Sequence, residues 1–212
     1  MKEFDRLVEI AEQLLGPQGC SWDREQTLHT LQPYLLEETH ELIEAIDEGD
    51  MGKISEELGD VLYALIFIAK LCEAKKGFTI GEAVEGVSDK LVRRHPHVFG
   101  DVKVSSNEEI VRNWEEIKKK EKGQEKRKGI FDGIPPTLPS LPKAQKMAKK
   151  VRKATGREVE PISDEAEVGE LLWSIVQRAE KGGVDAESAL RRKLSDVEKK
   201  GPEIGPRHEG HP

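Results

Sequence analysis

The chain has 212 residues, of which 36% are hydrophobic, 35% charged and 5% aromatic, and its formal net charge is −7. This composition is typical of helical proteins with amphipathic surfaces and thin cores, and it argues against a β-sandwich. Two cysteines make no disulfide framework. Residues 1–60 carry 16 acidic and 4 basic side chains, a charge balance that favours cations over nucleic acid as partners.

Nothing in the sequence predicts a membrane protein. The longest apolar run, residues 61–69, is far shorter than the roughly 18 residues of a transmembrane helix. The first residues are charged and are not followed by the apolar stretch of a secretory signal. We therefore expect no membrane association and a cytoplasmic location.

Apolar periodicity and helix-start signals predict an all-α fold, a helical bundle. The thin core expected from the composition would be completed in an oligomer. The first five helices are expected at about residues 3–15, 23–47, 53–75, 79–95 and 106–121. Three of them begin at a residue that can form a capping box with a Glu or Gln three positions later: Asp23 with Gln26, Thr79 with Glu82, and Ser106 with Glu109.

A proline-rich segment divides the chain. Four prolines in residues 135–142 are incompatible with a helix interior, so residues 129–142 are predicted to be an extended linker between a first domain, 1–128, and a shorter helical segment, 143–200. The charged residues 118–128 are predicted to be a solvated helix end rather than a binding patch. The tail, 201–212, is predicted to be disordered, although His208 and His211 could bind metal weakly.

The second predicted helix places a glutamate on its apolar face. On a helical wheel Glu38 falls within the stripe formed by Leu31, Leu35 and Leu42, and Glu41 falls at its edge. Glu37 is turned away from that stripe. A buried carboxylate is costly unless a cation or a basic group offsets its charge, so we expect one beside Glu38.

The third predicted helix repeats this arrangement. Glu57 and Asp60 are one turn apart and directly precede the apolar run, which we expect to be buried on all sides. A short turn at residues 49–52 would bring Glu57 and Asp60 beside Glu38 and Glu41. Four carboxylates supply an all-oxygen ligand set that suits Mg²⁺, with Mn²⁺ as a substitute, and disfavours zinc.

Other interpretations of these residues stay open at this point. The carboxylates could be salt-bridged residues of a helix surface. Glu37 and His40 match half of the pattern of ferritin-like di-iron proteins, but His40 points outward and the chain has no second Glu-x-x-His. The spacing of His95 and His97 could suit a metal, although the intervening Pro96 favours a turn that ends a helix.

Several ordered segments resemble the MazG family of nucleoside triphosphate pyrophosphohydrolases, over about residues 1–145. The family pattern E-E-x-x-E followed by E-x-x-D stands here at 37–41 and 57–60. Residues 19–27 resemble the family's entry loop, with Ser21 where proline is usual. The signature segments 90–100, 114–118 and 132–135 follow in order.

The resemblance implies Mg²⁺-dependent cleavage of nucleoside triphosphates to the monophosphate and pyrophosphate, by a homodimer or higher homo-oligomer. It implies four metal ligands, Glu38, Glu41, Glu57 and Asp60, and four contacts to the triphosphate, Lys90, Arg94, Trp114 and Lys118. Glu38 and Glu41 would act in catalysis through the metal. Glu37, beside the site, is the candidate general base.

The second half of the chain resembles part of the first. Residues 167–180 match residues 57–70 at an offset of 110, but the helix that should carry a second E-E-x-x-E is missing, and Glu170 stands where the first copy has Asp60. We expect this half to lack a metal site and to support dimerisation or packing. The rival functions are a helical bundle that binds nucleotide without cleaving it and a nucleic-acid-binding protein that uses the basic residues near 118–128 and 143–153.

Overall fold

The computed structural model of the chain describes residues 1–121 and 129–201. These residues form helices, turns and loops with no strand, which confirms the predicted all-α fold. Ten helices lie in the described ranges: α1 Lys2–Leu15, α2 Ser21–Glu25, α3 Leu31–Glu48, α4 Met51–Ala74, α5 Ile80–Arg94, α6 Pro96–Phe99, α7 Asn107–Lys119, α8 Ser140–Thr155, α9 Glu165–Lys181 and α10 Ala186–Lys200. None of the helices in this part of the chain is long and apolar enough to cross a bilayer.

The chain divides into two compact units, Met1–Trp114 and Glu115–Pro212. In unit 1, α4 packs against α3, α1 and α5. In unit 2, α10 packs against α8 and α9. The division falls inside α7, upstream of the predicted linker, and the functional domain limits expected from the sequence stay a prediction.

The hairpin of α3 and α4 is the central feature of unit 1. Gly49 ends α3 with a φ of 71°, a left-handed conformation that glycine adopts without steric cost. Asp50 then caps α4, because its carboxylate accepts hydrogen bonds from the backbone N–H of Gly52 at 2.9 Å and of Lys53 at 3.3 Å. The two long helices therefore run antiparallel from a tight turn at the place that the sequence predicts.

The prediction of a single helix from Asp23 to Asp47 is wrong. Asp23 is a buried residue inside α2, and α2 is separated from α3 by residues 26–30. Pro33 has no N–H for a bond to the carbonyl of residue 29, so it stands in the first turn of α3, where no such bond is needed. The hydroxyl of Thr30 donates to the Gln26 side chain at 2.8 Å and stabilises the break.

The other helix starts agree more closely with the sequence prediction. Thr79 and Glu82 form the expected capping box at the start of α5. At α7, Ser106 Oγ accepts from the backbone N–H of Glu109, whereas the Glu109 carboxylate binds Ser105. Residues 129–139 form successive turns instead of an extended linker, and residues 140–142 already belong to the first turn of α8. The predicted tail beyond Gly201 and most of the charged stretch lie outside the described residues.

The buried core of unit 1 is thin and rich in alanine. Its buried apolar residues are Ala11, Leu31, Ala45, Ala64, Ile66, Phe67 and Ala69. The run at residues 61–69 is not buried on all sides in the single chain, because Leu62 is 37% and Leu65 47% exposed. One face of α4 therefore packs into unit 1 while another meets solvent.

We predict that Asp50→Ala destabilises the chain by about 1 kcal/mol, since two backbone N–H groups at the start of α4 lose their acceptor. Thermal or urea unfolding followed by circular dichroism measures this loss. Asp47→Ala removes an exposed carboxylate near the end of α3 and is the matched control. Equal losses in the two variants would show that capping does not stabilise the hairpin.

Candidate functional site

Three glutamates converge where α3 and α4 run side by side. Carboxylate oxygens of Glu38, Glu41 and Glu57 all lie within 4.8 Å of one another. Glu38 is buried at 7% exposure, Glu57 is half-buried and Glu41 is exposed. We call this set the carboxylate trio. Its one buried member is the glutamate that the helical wheel places on the apolar stripe.

Asp60 lies beside the trio. It is half-buried, one turn beyond Glu57 on α4, and its charge acts on both Glu38 and Tyr34. Glu37 and His40 are exposed, in agreement with the outward direction expected from the wheel. The structure therefore brings together all four carboxylates of the sequence-predicted set, with three of them in mutual contact range of one cation.

Tyr34 is a member of the site that sequence reasoning missed. It stands one turn before Glu38 on α3, and its hydroxyl donates a hydrogen bond to the Glu38 carboxylate. Burial, followed by this hydrogen bond and the nearby carboxylate charges, raises the pKa of Tyr34 to about 12. The tyrosine therefore remains a proton donor to Glu38 at physiological pH. The spacing of four residues between Tyr34 and Glu38 was the feature of the sequence from which this contact could have been predicted.

The clustering of like charges raises the carboxyl pKa values in the chain without metal. Burial raises the pKa of Glu38, the Tyr34 hydrogen bond lowers it, and the charges of Asp60, Glu41 and Glu37 raise it further, for a net increase. Desolvation and the charges of Glu41 and Glu56 likewise raise the pKa of Glu57. Repulsion of this kind is relieved when a cation is bound among the oxygens.

An acidic cleft of about 260 Å³ extends from the trio toward the turn of the hairpin. Glutamates from both helices line it, including Glu41 and Glu57. Lys53 is the one cation among the lining residues, and it is held by Glu48 at 2.6 Å. Such a surface concentrates cations and repels unaccompanied phosphate groups.

The residues expected to contact triphosphate fall into different places. Arg94 lies over the ring of Trp114, with its guanidinium carbon 5.1 Å from the ring centroid. Lys90 is half-exposed one turn earlier on α5. Lys118 belongs to unit 2, where it lines a cavity with lysines of α8.

His95 completes the aromatic cluster around Trp114, a contact that the sequence analysis did not predict. Its ring meets the Trp114 ring edge-on, with the centroids 4.9 Å apart, and its Nδ1 lies 2.7 Å from the carbonyl oxygen of Leu91. Contacts between distant segments such as this one leave no short-range pattern in a sequence. The fold and the carboxylates together define an all-α protein whose centre suits a hard divalent cation.

Comparisons with known proteins identify the family. The model of the MazG nucleotide pyrophosphohydrolase domain matches residues 26–99, which contain all four carboxylates, Lys90 and Arg94. The nucleoside triphosphate pyrophosphohydrolase/pyrophosphatase MazG of Thermotoga maritima is 40% identical over 209 residues, covering 89% of this chain and 80% of that protein. The nucleoside triphosphate pyrophosphohydrolase of Escherichia coli K12 is 34% identical over 230 residues, covering 96% and 88%. The chain therefore belongs to the MazG family of nucleoside triphosphate pyrophosphohydrolases.

Two further matches cover a smaller share of this chain or of the matched protein. The uncharacterized protein YabN of Bacillus subtilis is 47% identical over 147 residues, and the match spans 69% of this chain and only 30% of that protein. The crystal structure of a mazG-related protein from Thermotoga maritima aligns with a TM-score of 0.49 and 34% identity, over 55% of this chain and 99% of that one.

We predict that Glu57→Gln raises the melting temperature in EDTA at neutral pH, because it removes one of the repelling charges of the trio. A carboxyl whose pKa is raised by folding stabilises the folded state fully below its ordinary value of 4.5, and this stabilisation is lost as the pH rises through the raised value. The advantage of the glutamine should therefore be present at neutral pH and vanish below pH 4.5. Calorimetry across this range, with Glu9→Gln on α1 as the control, measures it. A lower melting temperature for Glu57→Gln in EDTA at neutral pH would contradict the expectation.

We predict that Tyr34→Phe raises the pH below which the affinity of the chain for Mg²⁺ falls. The Tyr34 hydrogen bond lowers the pKa of Glu38, so its loss leaves Glu38 protonated over a wider range. Titration calorimetry with Mg²⁺ at a series of pH values measures how this affinity depends on pH. Tyr63→Phe removes the hydroxyl of another half-buried tyrosine as the control, and an equal shift there would exclude a specific role for Tyr34.

Proposed function

We propose that this chain is a Mg²⁺-dependent nucleoside triphosphate pyrophosphohydrolase that releases the monophosphate and pyrophosphate. The observation that carries this proposal is the carboxylate trio, gathered from both helices of the hairpin inside the region that matches the MazG domain. The printed activities of the Thermotoga maritima and Escherichia coli relatives support it.

The donor set fits the proposed metal. Glu38, Glu41 and Glu57 offer oxygens within 4.8 Å of one another, and Asp60 adds a fourth carboxylate close by. Hard cations such as Mg²⁺ and Mn²⁺ prefer oxygen ligands of this kind. When bound, Mg²⁺ supplies a Lewis acid that neutralises the phosphate chain and activates water.

In the proposed reaction, water attacks the α-phosphorus. A bond forms between the water oxygen and the α-phosphorus, and the bond from that phosphorus to the oxygen bridging to the β-phosphorus breaks. The bridging oxygen departs with pyrophosphate, and the water oxygen stays in the monophosphate. We assign Glu37 as the candidate general base, because it is exposed and adjacent in sequence to Glu38.

We propose that the phosphate groups are bound by the basic side chains that the family resemblance implies. Arg94 is oriented by stacking over Trp114, and Lys90 lies one turn before it on α5. Lys118 is the third assigned cation. Such side chains stabilise the negative charge that accumulates on the leaving pyrophosphate.

We also propose that the chain acts as a homodimer or higher homo-oligomer. Several large apolar side chains of α3 and α4 are exposed in the single chain: Leu36, Ile43, Leu58, Leu62 and Leu65. A second copy covering this surface would complete the thin core of unit 1, since contiguous apolar surface is costly in water. The physiological role we propose is housecleaning of the cytoplasmic nucleotide pool.

Incubation with each nucleoside triphosphate and Mg²⁺ tests the cleavage position. In water enriched in heavy oxygen, the label is expected in the monophosphate and not in pyrophosphate. Release of orthophosphate, or label in pyrophosphate, would overturn attack at the α-phosphorus.

We predict that Glu38→Gln and Asp60→Asn each lower turnover by about 100-fold or more, because they remove ligand charge while keeping side-chain shape. Helix content, measured by circular dichroism, should stay near that of the wild type. Asp47→Asn is the matched control. It replaces an exposed carboxylate of α3 with a carboxamide and should retain activity. Full activity in both site variants would show that the carboxylates do not serve the reaction.

A further inference from the structure

His95 lies at the junction between α5 and α6, and backbone hydrogen bonds hold it from both sides. Its N–H donates to the carbonyl oxygens of Leu91 at 3.1 Å and Val92 at 3.2 Å, at the end of α5. Its own carbonyl oxygen accepts from the N–H groups of Val98 at 2.9 Å and Phe99 at 3.0 Å, at the start of α6. The last turn of α5 and the first turn of α6 therefore fix the position of this residue.

The imidazole of His95 is oriented by a further hydrogen bond. Its Nδ1 lies 2.7 Å from the carbonyl oxygen of Leu91. Since a carbonyl oxygen can only accept, Nδ1 carries a hydrogen and donates it, which fixes both the tautomer and the direction of the ring. The side chain is half-buried, and together with the backbone anchors this bond makes the ring a rigid element of the fold.

The indole of Trp114 on α7 contacts both this imidazole and the preceding residue, Arg94. The His95 ring meets the indole at 75°, with the centroids 4.9 Å apart, in the edge-to-face arrangement that aromatic rings favour. The guanidinium carbon of Arg94 lies 5.1 Å from the centroid of the same indole, within the range of a cation–π contact. All three residues belong to unit 1. A rotation of Trp114 would therefore move the surface on which the guanidinium lies.

We propose that His95 is a positioning residue for the reaction: it fixes the indole of Trp114, which in turn holds the guanidinium of Arg94 where it contacts phosphate. This inference rests on the proposed function, in which Arg94 binds phosphate while stacked over Trp114. An arginine side chain loses much conformational freedom when it binds a ligand, so a surface that orients it beforehand favours binding. The contacts implied by the family resemblance include Arg94 and Trp114 but not His95.

The rival explanation is that His95 only stabilises the end of α5, and two substitutions separate the two roles. His95→Phe keeps an aromatic ring against Trp114 but cannot donate from the side chain to Leu91. His95→Asn can donate from its amide nitrogen, which replaces Nδ1, but it has no ring. In both variants the backbone N–H of residue 95 still donates to the Leu91 carbonyl, so neither substitution leaves that carbonyl without a partner.

Steady-state kinetics of the full chain, with Mg²⁺ and the nucleoside triphosphate that the wild type cleaves fastest, compare these variants. We expect His95→Asn to lower kcat/KM by about 10-fold, because a displaced guanidinium stabilises the transition state less. His95→Phe should stay within about 3-fold of the wild type, because the ring contact is kept. His29→Asn, the same substitution at an exposed histidine between α2 and α3, is the matched control and should retain activity. A loss in His95→Phe without one in His95→Asn, no loss in either variant, or an equal loss in the control would overturn the proposal.

A double-mutant cycle tests whether His95 acts through Trp114. In a Trp114→Leu background, the further substitution His95→Asn should lower kcat/KM by less than about 2-fold, because the contact through which it acts is already gone. A further loss as large as that in the wild-type background would show that His95 acts by another route, and it would refute the proposal.

Fluorescence anisotropy reports the mobility of Trp114 without any reaction. Trp22 and Trp173 are both exposed, so Trp22→Phe/Trp173→Phe leaves Trp114 as the single tryptophan of the chain. In this background we expect His95→Asn to lower the anisotropy, because the indole moves more freely, and His95→Phe and His29→Asn to leave it unchanged. An unchanged anisotropy in His95→Asn would contradict the proposal. Circular dichroism checks that each variant keeps its helix content. The two possible failures are distinguishable, since a wild type without hydrolysis refutes the proposed function itself, whereas an active wild type with an equally active His95→Asn refutes only the role of His95.

Discussion

The mutual repulsion of three carboxylates is the constraint on which the structure of unit 1 depends. Glu38, Glu41 and Glu57 lie within 4.8 Å of one another, and Glu38 is buried. Charges this close repel one another strongly where water is partly excluded. The backbone of the hairpin must hold them together, and the left-handed Gly49 and the Asp50 cap fix the geometry of its turn. The local structure of the turn therefore supports the chemistry of the site about two helical turns away.

The parts of this site that could be predicted from the sequence are those that depend on spacing along one helix or across one short turn. The wheel separates the buried Glu38 from the exposed Glu37 because helical direction changes by about 100° per residue. The turn at residues 49–52 then brings Glu57 opposite. Pro33 carried a signal against one continuous second helix, since a proline there has no N–H for the preceding turn. The contact of His95 with Trp114 joins the residue between α5 and α6 to α7, so it could not be predicted from periodicity.

The two units have opposite electrostatic character around their cavities. The cleft of unit 1 is lined by glutamates with one lysine, and the cavity of unit 2 is lined by lysines with one glutamate. Both linings arise from the spacing of charged residues along a helix, because residues at intervals of three and four lie on the same side of it. A polyphosphate approaching the first needs a cation as intermediary.

Among the described residues the carboxylate cluster lies in the first copy of the repeat, and α4 and α9 differ at the positions that bury the first copy. Phe67 and Ala64, buried in α4, correspond at the offset of 110 to Gln177 and Ser174 of α9, which are exposed. Two of the four buried positions of α4 are therefore polar in the second copy, so burying that face against a helix equivalent to α3 would stabilise the fold less. That helix is absent from the sequence between α8 and α9. Without it, we expect Glu167 and Glu170 to have no facing glutamates.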